Sequence, residues 1–367
     1  MQIFLRQIIF FFIGTLLRWP LWLLIGLIGR SGIFKTVFLV YPTDEVECRG
    51  FCPNISFLRR FFSGRPTPGG LIMNGWMPMG IYFVIPDLTR DLARKKNRAL
   101  AETIVRRMLW IRQLSGAQTI GLAGQLGPIF ARRHNIPMEP PLFSSINGNI
   151  FSIHEAINWV TRQKQSFFHA RNVAVVGGGE LGCTLLEYLN NQGYHCNTVD
   201  VRYTRQGKVV PLQSDENMGN LHDVNFVINL MPKGDDFLDS NLHKFISHDA
   251  VIIDFSRPAI PENILPQEIY FGNRIRRTDM RFIFALPGGW KQRQLPACAL
   301  PALLTALTGQ VKSQLESFCL LARQNAFGTA LVDAPLDYKD KANSFWSKDL
   351  ELEDELTLET MSLLSNE

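Results

Sequence analysis

The chain has 367 residues, enough for two domains and a sizeable core, and its 46% hydrophobic content excludes a mainly disordered polypeptide. The net charge of +5 is unevenly spread: basic residues crowd the first third, from Arg59 and Arg60 through Arg94, Lys95 and Lys96 to Arg132 and Arg133, while the tail from Asp349 to Glu367 is acidic. Such a basic face suits an anionic partner (a membrane surface, an acidic carrier protein or a phosphorylated substrate), with solvated helix faces as the plain alternative, and nucleic acid is not among the expected partners.

In chain order, residues 1–34 are very apolar. Ile8 to Leu17 and Leu21 to Ile28 form two runs separated by Arg18, Trp19 and Pro20. Each run is short of the about 20 residues a spanning helix needs, and Arg18 falls where such a span would have its middle. No small-x-small cleavage site follows the first run. A monotopic anchor in one leaflet is expected, with a single tilted span as the rival. Arginines near residues 30–60 place it on the cytoplasmic face under the positive-inside tendency.

Residues 35–166 read as a substrate domain. Residues 35–70 carry turn signals, Ile81 to Ile85 reads as a strand, and Leu88 to Ser115 has helical periodicity. Thr119 to Gly124 reads as a strand into a glycine turn, Gln125 to Asn135 as a helix, and a further helix is expected at about 152–166. The boundary to the next domain falls at 167–172.

Residues 167–290 read as a dinucleotide-binding domain. Val173 to Val176 is a short buried strand, Gly177-Gly178-Gly179-Glu180-Leu181-Gly182 follows, and Cys183 to Leu189 has helical spacing. In a G-x-G-x-x-G turn, Gly177 permits the tight bend, Gly179 lets backbone approach a pyrophosphate, and Gly182 lets helix and strand pack closely. The helix N-terminus then faces the phosphates. A second strand, His195 to Asp200, ends in an acid eighteen residues after Gly182, the place of a ribose-binding carboxylate. Val224 to Leu230 and Ala250 to Asp254 continue the alternation, and Phe282 to Ala285 is expected as the last strand. The fold class is therefore α/β: a Rossmann-type doubly wound sheet, a smaller α/β substrate domain and an N-terminal hydrophobic segment. Residues 291–336 hold a long apolar helix expected to return to the substrate domain, and 337–367 form the acidic tail.

These pieces resemble the cyanobacterial long-chain acyl-acyl-carrier-protein reductases, which turn fatty acyl thioesters into fatty aldehydes, and more loosely the shikimate dehydrogenase-like proteins. The resemblance rests on Gly121 to Ile129, Asn147-Gly148-Asn149, Val173 to Gly182, Pro287-Gly288-Gly289 and Ala297-Cys298-Ala299, in order from about residue 80 to 310. It implies that Cys298 is the nucleophile, that Gly177 to Gly182 form an NADPH loop, and that Arg202 is the cofactor-side arginine. Two departures stand out: Pro301 replaces an acid of the family pattern, and Gly178 stands where the family has alanine. Asp200 favours a free 2′-hydroxyl and Arg202 a 2′-phosphate, so NADPH is expected with NADH possible.

A thiolate would take the acyl group from acyl carrier protein or coenzyme A before hydride reaches the acyl-enzyme. Pro296 and Pro301 suit a first helical turn, so Cys298 should lie at a helix start, which lowers a thiol's pKa, with Lys291 and Arg293 close in sequence. The plain alternative is a small buried core cysteine. Asn147 and Asn149 could orient the acyl carbonyl or cap a helix. Gly288 and Gly289 could let backbone approach the nicotinamide, and Met231 should border the cofactor crevice. His134, His154 and Asp254 are weaker candidates with structural alternatives. The six cysteines include no C-x-x-C pair, so no metal is expected. The alternative functions are a shikimate dehydrogenase-like oxidoreductase without a covalent step and a non-catalytic dinucleotide-binding sensor.

Overall fold

The computed structural model describes residues 15–43, 60–164, 171–200, 221–261, 263–283 and 293–331, a few single positions among 8–13, 45–48 and at 169, and the backbone of 201–203 and 209–211. The first domain contains α1 (Arg18–Gly29), β1 (Thr36–Val40), β2 (Thr67–Asn74), β3 (Met77–Val84), α2 (Arg98–Ser115), β4 (Thr119–Leu122), β5 (Leu142–Phe143) and α3 (Ile146–Gln163). β1, β3, β4 and β5 are parallel to one another in the sheet. β1 and β4 are buried along almost their whole length and apolar after a leading threonine, as suits strands covered on both faces, and the two threonines, Thr36 and Thr119, hydrogen-bond each other at 2.9 Å. The stripe Ala101, Ile104, Val105, Met108 and Ile111 seats α2 on one face of this sheet, and Gly116, at φ +66°, ends the helix in the left-handed conformation.

The second domain is built from β6 (Asn172–Val176), α4 (Glu180–Asn191), β7 (His195–Val199), a ribbon of β8 (Val201–Tyr203) and β9 (Val209–Pro211), then β10 (Phe226–Asn229), α5 (Gly234–Asp239), β11 (Val251–Asp254) and β12 (Glu268–Phe271). Its sheet order is β12-β11-β10-β6-β7, all parallel. The order reverses between β6 and β10, and in such sheets the crevice outside the carboxyl ends at that reversal is where ligands bind.

The chain then crosses back through β13 (Arg274–Arg276), β14 (Met280–Ile283), β15 (Leu295–Pro296), α6 (Leu300–Thr308), α7 (Leu315–Gln324) and β16 (Gly328–Thr329). Here one expectation is corrected. The strand read as the last of the dinucleotide domain is β14, which pairs antiparallel with β2 at the edge of the first sheet. Its alternating burial fits a half-covered edge strand, with Phe282 packed on Phe38 and Tyr82. α6 packs on the first sheet too, where Thr119 Oγ1 donates to the Ala302 carbonyl at 3.1 Å.

Two further boundaries differ. The helix expected at 152–166 begins at Ile146, because Gly148 lets its first turn sit against residues 297–301: a Cβ at Gly148 would lie 2.1 Å from the Ala297 carbonyl oxygen. The helix read at 125–135 is a short turn at Leu126–Pro128 followed by a π-turn at Ile129–Arg133. The apolar N-terminal segment contributes α1, whose 12 residues span about 18 Å against a hydrocarbon core of about 30 Å. Among the described residues no helix is long and apolar enough to cross a membrane.

Gly148→Val should force α3 and the 297–301 turn apart, because the clash is with backbone rather than a movable side chain. A loss of about 1–3 kcal/mol in unfolding free energy is expected from denaturant titration.

Candidate functional site

The glycine turn has the geometry a dinucleotide requires. Gly177 follows β6 at φ +114°, a conformation closed to ordinary side chains, and its N–H donates to the Val199 carbonyl at 2.9 Å. A Cβ at Gly182 would lie 2.0 Å from the Gly177 carbonyl oxygen, so only glycine lets α4 pack this close to the turn. Gly179 stands before α4 in an extended conformation, with no heavy atom within 4 Å of where its Cβ would be. That open ground lies at the N-terminal end of α4, where free N–H groups attract a pyrophosphate. Asp200 follows β7, with its carboxylate 3.0 Å from the Cβ position at Gly178. The residues present therefore fit a dinucleotide, with phosphates over Gly179 and a ribose beside Asp200. Leu181 is half-buried against the core. Glu180 opens α4 and pairs with Arg132 of the first domain at 2.9 Å.

At the end of β10 the expected Met231 is 2% exposed and packs in the cluster with Val176, Val199 and Phe237. Leu230, which sequence reading did not single out, is the residue that meets the glycine turn, 3.3 Å from the Gly177 Cβ position. Asp254, at the end of β11, is fully buried. It accepts hydrogen bonds from Asn229 Nδ2 (2.8 Å), Ile260 N (2.7 Å) and both the N–H and hydroxyl of Ser256. Burial pushes its carboxyl above the usual range in spite of those donors. Its work is to hold the loops after β10 and β11 together, joined also by Arg257 N–H to the Pro232 carbonyl at 2.9 Å.

Cys298 lies in the single turn Ala297–Ala299 that leads into α6, as its flanking prolines predict. The Gly124 N–H, Arg257 and the residue's own N–H all favour its thiolate. Gly124 follows β4 and Arg257 follows β11, so a carboxyl-end loop of the first sheet bonds this sulfur and one of the second lies close enough to act on it by charge. The expected low pKa does not result. Burial outweighs all three and pushes the thiol up to about 11.

Beside this turn lies a cleft of about 380 Å³, within the range of ligand sites, with Leu142, Ile146, Pro301, Leu304 and Phe318 in its walls. Asn147 lines it, as does Thr184 of α4, so the cleft reaches the dinucleotide helix. Asn149 lies a turn-step further along α3, its N–H bonded to the Ser145 carbonyl at 3.0 Å. Neither asparagine caps the helix, since both lie inside its first turn after Ser145. Arg202 lies in β8 with only its backbone described, and Gly288, Gly289 and Lys291 lie outside the described residues.

Tyr41, just after β1, was not anticipated. Its hydroxyl accepts the Gln125 N–H at 3.1 Å and lies 2.5 Å from the Gly124 Cβ position, which brings a phenol to the turn that serves Cys298. The signal available in sequence was a tyrosine at the end of an apolar run. His134 and His154 are structural. His134 Nε2 bonds the Leu92 carbonyl at 2.6 Å. His154 Nδ1 lies 2.9 Å from the Tyr188 hydroxyl, and burial together with Arg323 and Arg171 lowers its pKa to about 4.

No family model matches the chain, and no curated protein matches it. Among solved structures, shikimate 5-dehydrogenase from Thermus thermophilus, in complex with NADP(H) and shikimate, is 11% identical, covering 80% of this chain and 99% of its own at a TM-score of 0.36. L-tryptophan dehydrogenase from Nostoc punctiforme is 12% identical over 63% of this chain and 65% of its own, at 0.30. A D-isomer specific 2-hydroxyacid dehydrogenase family protein from Klebsiella pneumoniae 342 is 14% identical over 60% and 71%, at 0.26. At these scores the fold assignment rests on the chain's own strand order and glycine turn.

Two outcomes test the site. Gly179→Val, placed in open space at an ordinary φ, should leave thermal stability unchanged while weakening dinucleotide binding by about 100-fold, as read by fluorescence titration. Iodoacetamide labelling of Cys298, followed by peptide mass spectrometry, should be slow at pH 7. It should rise about tenfold per pH unit with no plateau below about pH 10, since the thiolate fraction follows a pKa of about 11.

Proposed function

We propose that the protein is a nicotinamide-dinucleotide-dependent oxidoreductase that reduces a long-chain fatty acyl thioester to the aldehyde, with Cys298 carrying the acyl group. The observation that supports this reading is that Gly124 N–H and the Arg257 charge both favour a thiolate at Cys298, beside a cleft of mixed lining, apolar along Leu142, Ile146, Pro301, Leu304 and Phe318, that reaches α4. Gly177, Gly179 and Gly182 would shape the phosphate cradle and Asp200 would take the ribose. The bound dinucleotide would supply hydride. NADPH is the cofactor the family resemblance implies, while Asp200 beside Gly178 favours a free 2′-hydroxyl. Titration with both dinucleotides separates the two.

The chain's own residues would act as follows. Cys298 sulfur attacks the thioester carbonyl, forming a new thioester to the protein and releasing the donor thiol, of carrier protein or coenzyme A, which takes the displaced proton. The Gly124 and Cys298 N–H groups and Arg257 would hold negative charge at the sulfur as it forms and as it leaves. The cleft walls would hold the acyl chain and exclude water, and Asn147 would stand at the chain's polar end.

The high thiol pKa favours a second reading, in which a carbonyl substrate is reduced directly and Cys298 merely packs the site. Intact-protein mass spectrometry after incubation with a long-chain acyl-coenzyme A or acyl carrier protein, without dinucleotide, distinguishes them. An acyl adduct that is absent from Cys298→Ser, and that disappears with release of aldehyde when NADPH is added, is expected. The variant should lose reduction by about a thousandfold or more while still binding dinucleotide. No adduct on a protein that binds dinucleotide and turns over a carbonyl would overturn the covalent step.

A further inference from the structure

α1 has a buried side but no polar one. Trp22, Ile25 and Gly29 form its buried stripe, at the spacing of one helical side. Trp22 stacks on Phe83 with centroids 5.8 Å apart and meets Trp110 of α2 edge-on at 5.2 Å. Gly26 and Gly29 allow close approach: a Cβ at Gly29 would lie 2.6 Å from the Leu114 carbonyl oxygen. The helix is thus firmly seated on the domain. The opposite side of a seated surface helix is ordinarily polar. Here it consists of Trp19 (76% exposed), Leu23 (68%), Leu24 (50%) and Leu27 (64%), with Leu16 (68%) just before the helix. No charged residue occurs from Trp19 to Gly29. Single exposed leucines are ordinary; a contiguous apolar ridge of this kind marks a contact surface.

The charge beside this ridge identifies what it contacts. Arg18 opens α1, at the end where the helix dipole already carries positive charge. Arg18 and Arg65 line one small pocket there. Arg107 of α2 lies within the field of Arg65, Arg18 and Arg106. Their repulsion adds to burial in pulling its guanidinium below the usual range, with Asp87 the opposing carboxylate. Arg106 stands one turn before Trp110 on α2, and both are exposed. Four arginines therefore crowd one end of the apolar ridge at a cost that an anionic layer would relieve. Pairing with a second copy would place the same cationic rim on both sides of a desolvated interface.

We propose that α1, with the Arg18–Arg65–Arg106–Arg107 cluster, docks in the plane of an anionic lipid bilayer, with Trp19, Leu23 and Leu27 entering the headgroup–acyl boundary and the arginines meeting lipid phosphates. Such helices lie about 5–10 Å into that boundary without crossing the core. This inference is independent of the oxidoreductase reading.

Flotation of the full chain with vesicles of phosphatidylcholine, with and without phosphatidylglycerol, tests it. Binding is expected to the mixed vesicles and to weaken from about 0.1 M to about 1 M salt, as the Debye length falls from about 10 to about 3 Å. Leu23→Glu/Leu27→Glu should lower the partition constant by at least about tenfold. Arg65→Glu/Arg106→Glu should abolish the preference for phosphatidylglycerol. Dinucleotide titration, which reads a site remote from α1 in sequence, verifies that each variant is folded. Wild-type protein that stays with the unbound fraction, or flotation of both double variants equal to that of the wild type, would overturn the proposal. So would a dimer in light scattering that Leu23→Glu/Leu27→Glu converts to a monomer without any vesicle binding, which would assign the ridge to a second copy.

Discussion

The contact between Gly148 and the Ala297 carbonyl fixes the rest of the site. α3 lines the cleft with Ile146 and Asn147 and also meets the Cys298 turn and the second domain. Its first turn receives residues 297–301 and so sets the position of Cys298. One turn further, Ser152 donates to the Gly272 and Arg274 carbonyls, at 2.6 and 3.2 Å, and ties down the chain leaving the dinucleotide sheet. Beyond that, His154 and Glu155 meet Tyr188 of α4 and Arg323 of α7, with Arg323 Nε donating to Glu155 at 2.8 Å. A helix anchored to both domains by buried polar contacts holds the two sheets' carboxyl ends in one arrangement, since leaving any of those groups unpaired would cost about 1–3 kcal/mol.

Cys298 shows the opposing demands that such a site balances. The Gly124 and Cys298 N–H groups and the Arg257 charge favour a thiolate, yet burial outweighs them and pushes the thiol up to about 11. Desolvation penalises the charged form over its whole surface, while each donor acts along one direction, so burial wins in the absence of a ligand. The buried Asp254 differs. Its donors serve to join two loops, and it has no open face toward a reactant.

Much of the dinucleotide site was legible in the sequence, because its demands fall on local backbone. Gly177 needs a positive φ and Gly182 a close approach, and both requirements write glycine into fixed places a few residues apart. Asp200 follows from strand length. The substrate side was less legible because it is assembled from distant segments. Tyr41, Gly124, Asn147 and Arg257 meet through tertiary packing, and no spacing rule links them. β14 pairs with the first sheet rather than the second for a related reason: four residues of alternating burial carry a strand signal and no label for the partner, which lies some two hundred positions away at β2. Leu230 took the place expected of Met231 because side chains alternate along a strand end, and a shift of one residue exchanges the face toward the glycine turn for the core.

The ion pair between Arg132 and Glu180 joins the two halves of the site electrostatically. A carboxylate in the first turn of α4 suits the helix dipole, yet it stands beside ground that a pyrophosphate would occupy, where like charge repels. Arg132, on the π-turn of the first domain, offsets that repulsion. The pair is partly exposed, so its own contribution to stability is at most about 1 kcal/mol. Its larger consequence is geometric: the cation beside the glycine turn comes from the first domain, so the two domains meet at this point through opposite charges. A dinucleotide held over α4 would meet a charge from each domain, so its binding would favour the arrangement in which Arg132 and Glu180 are paired.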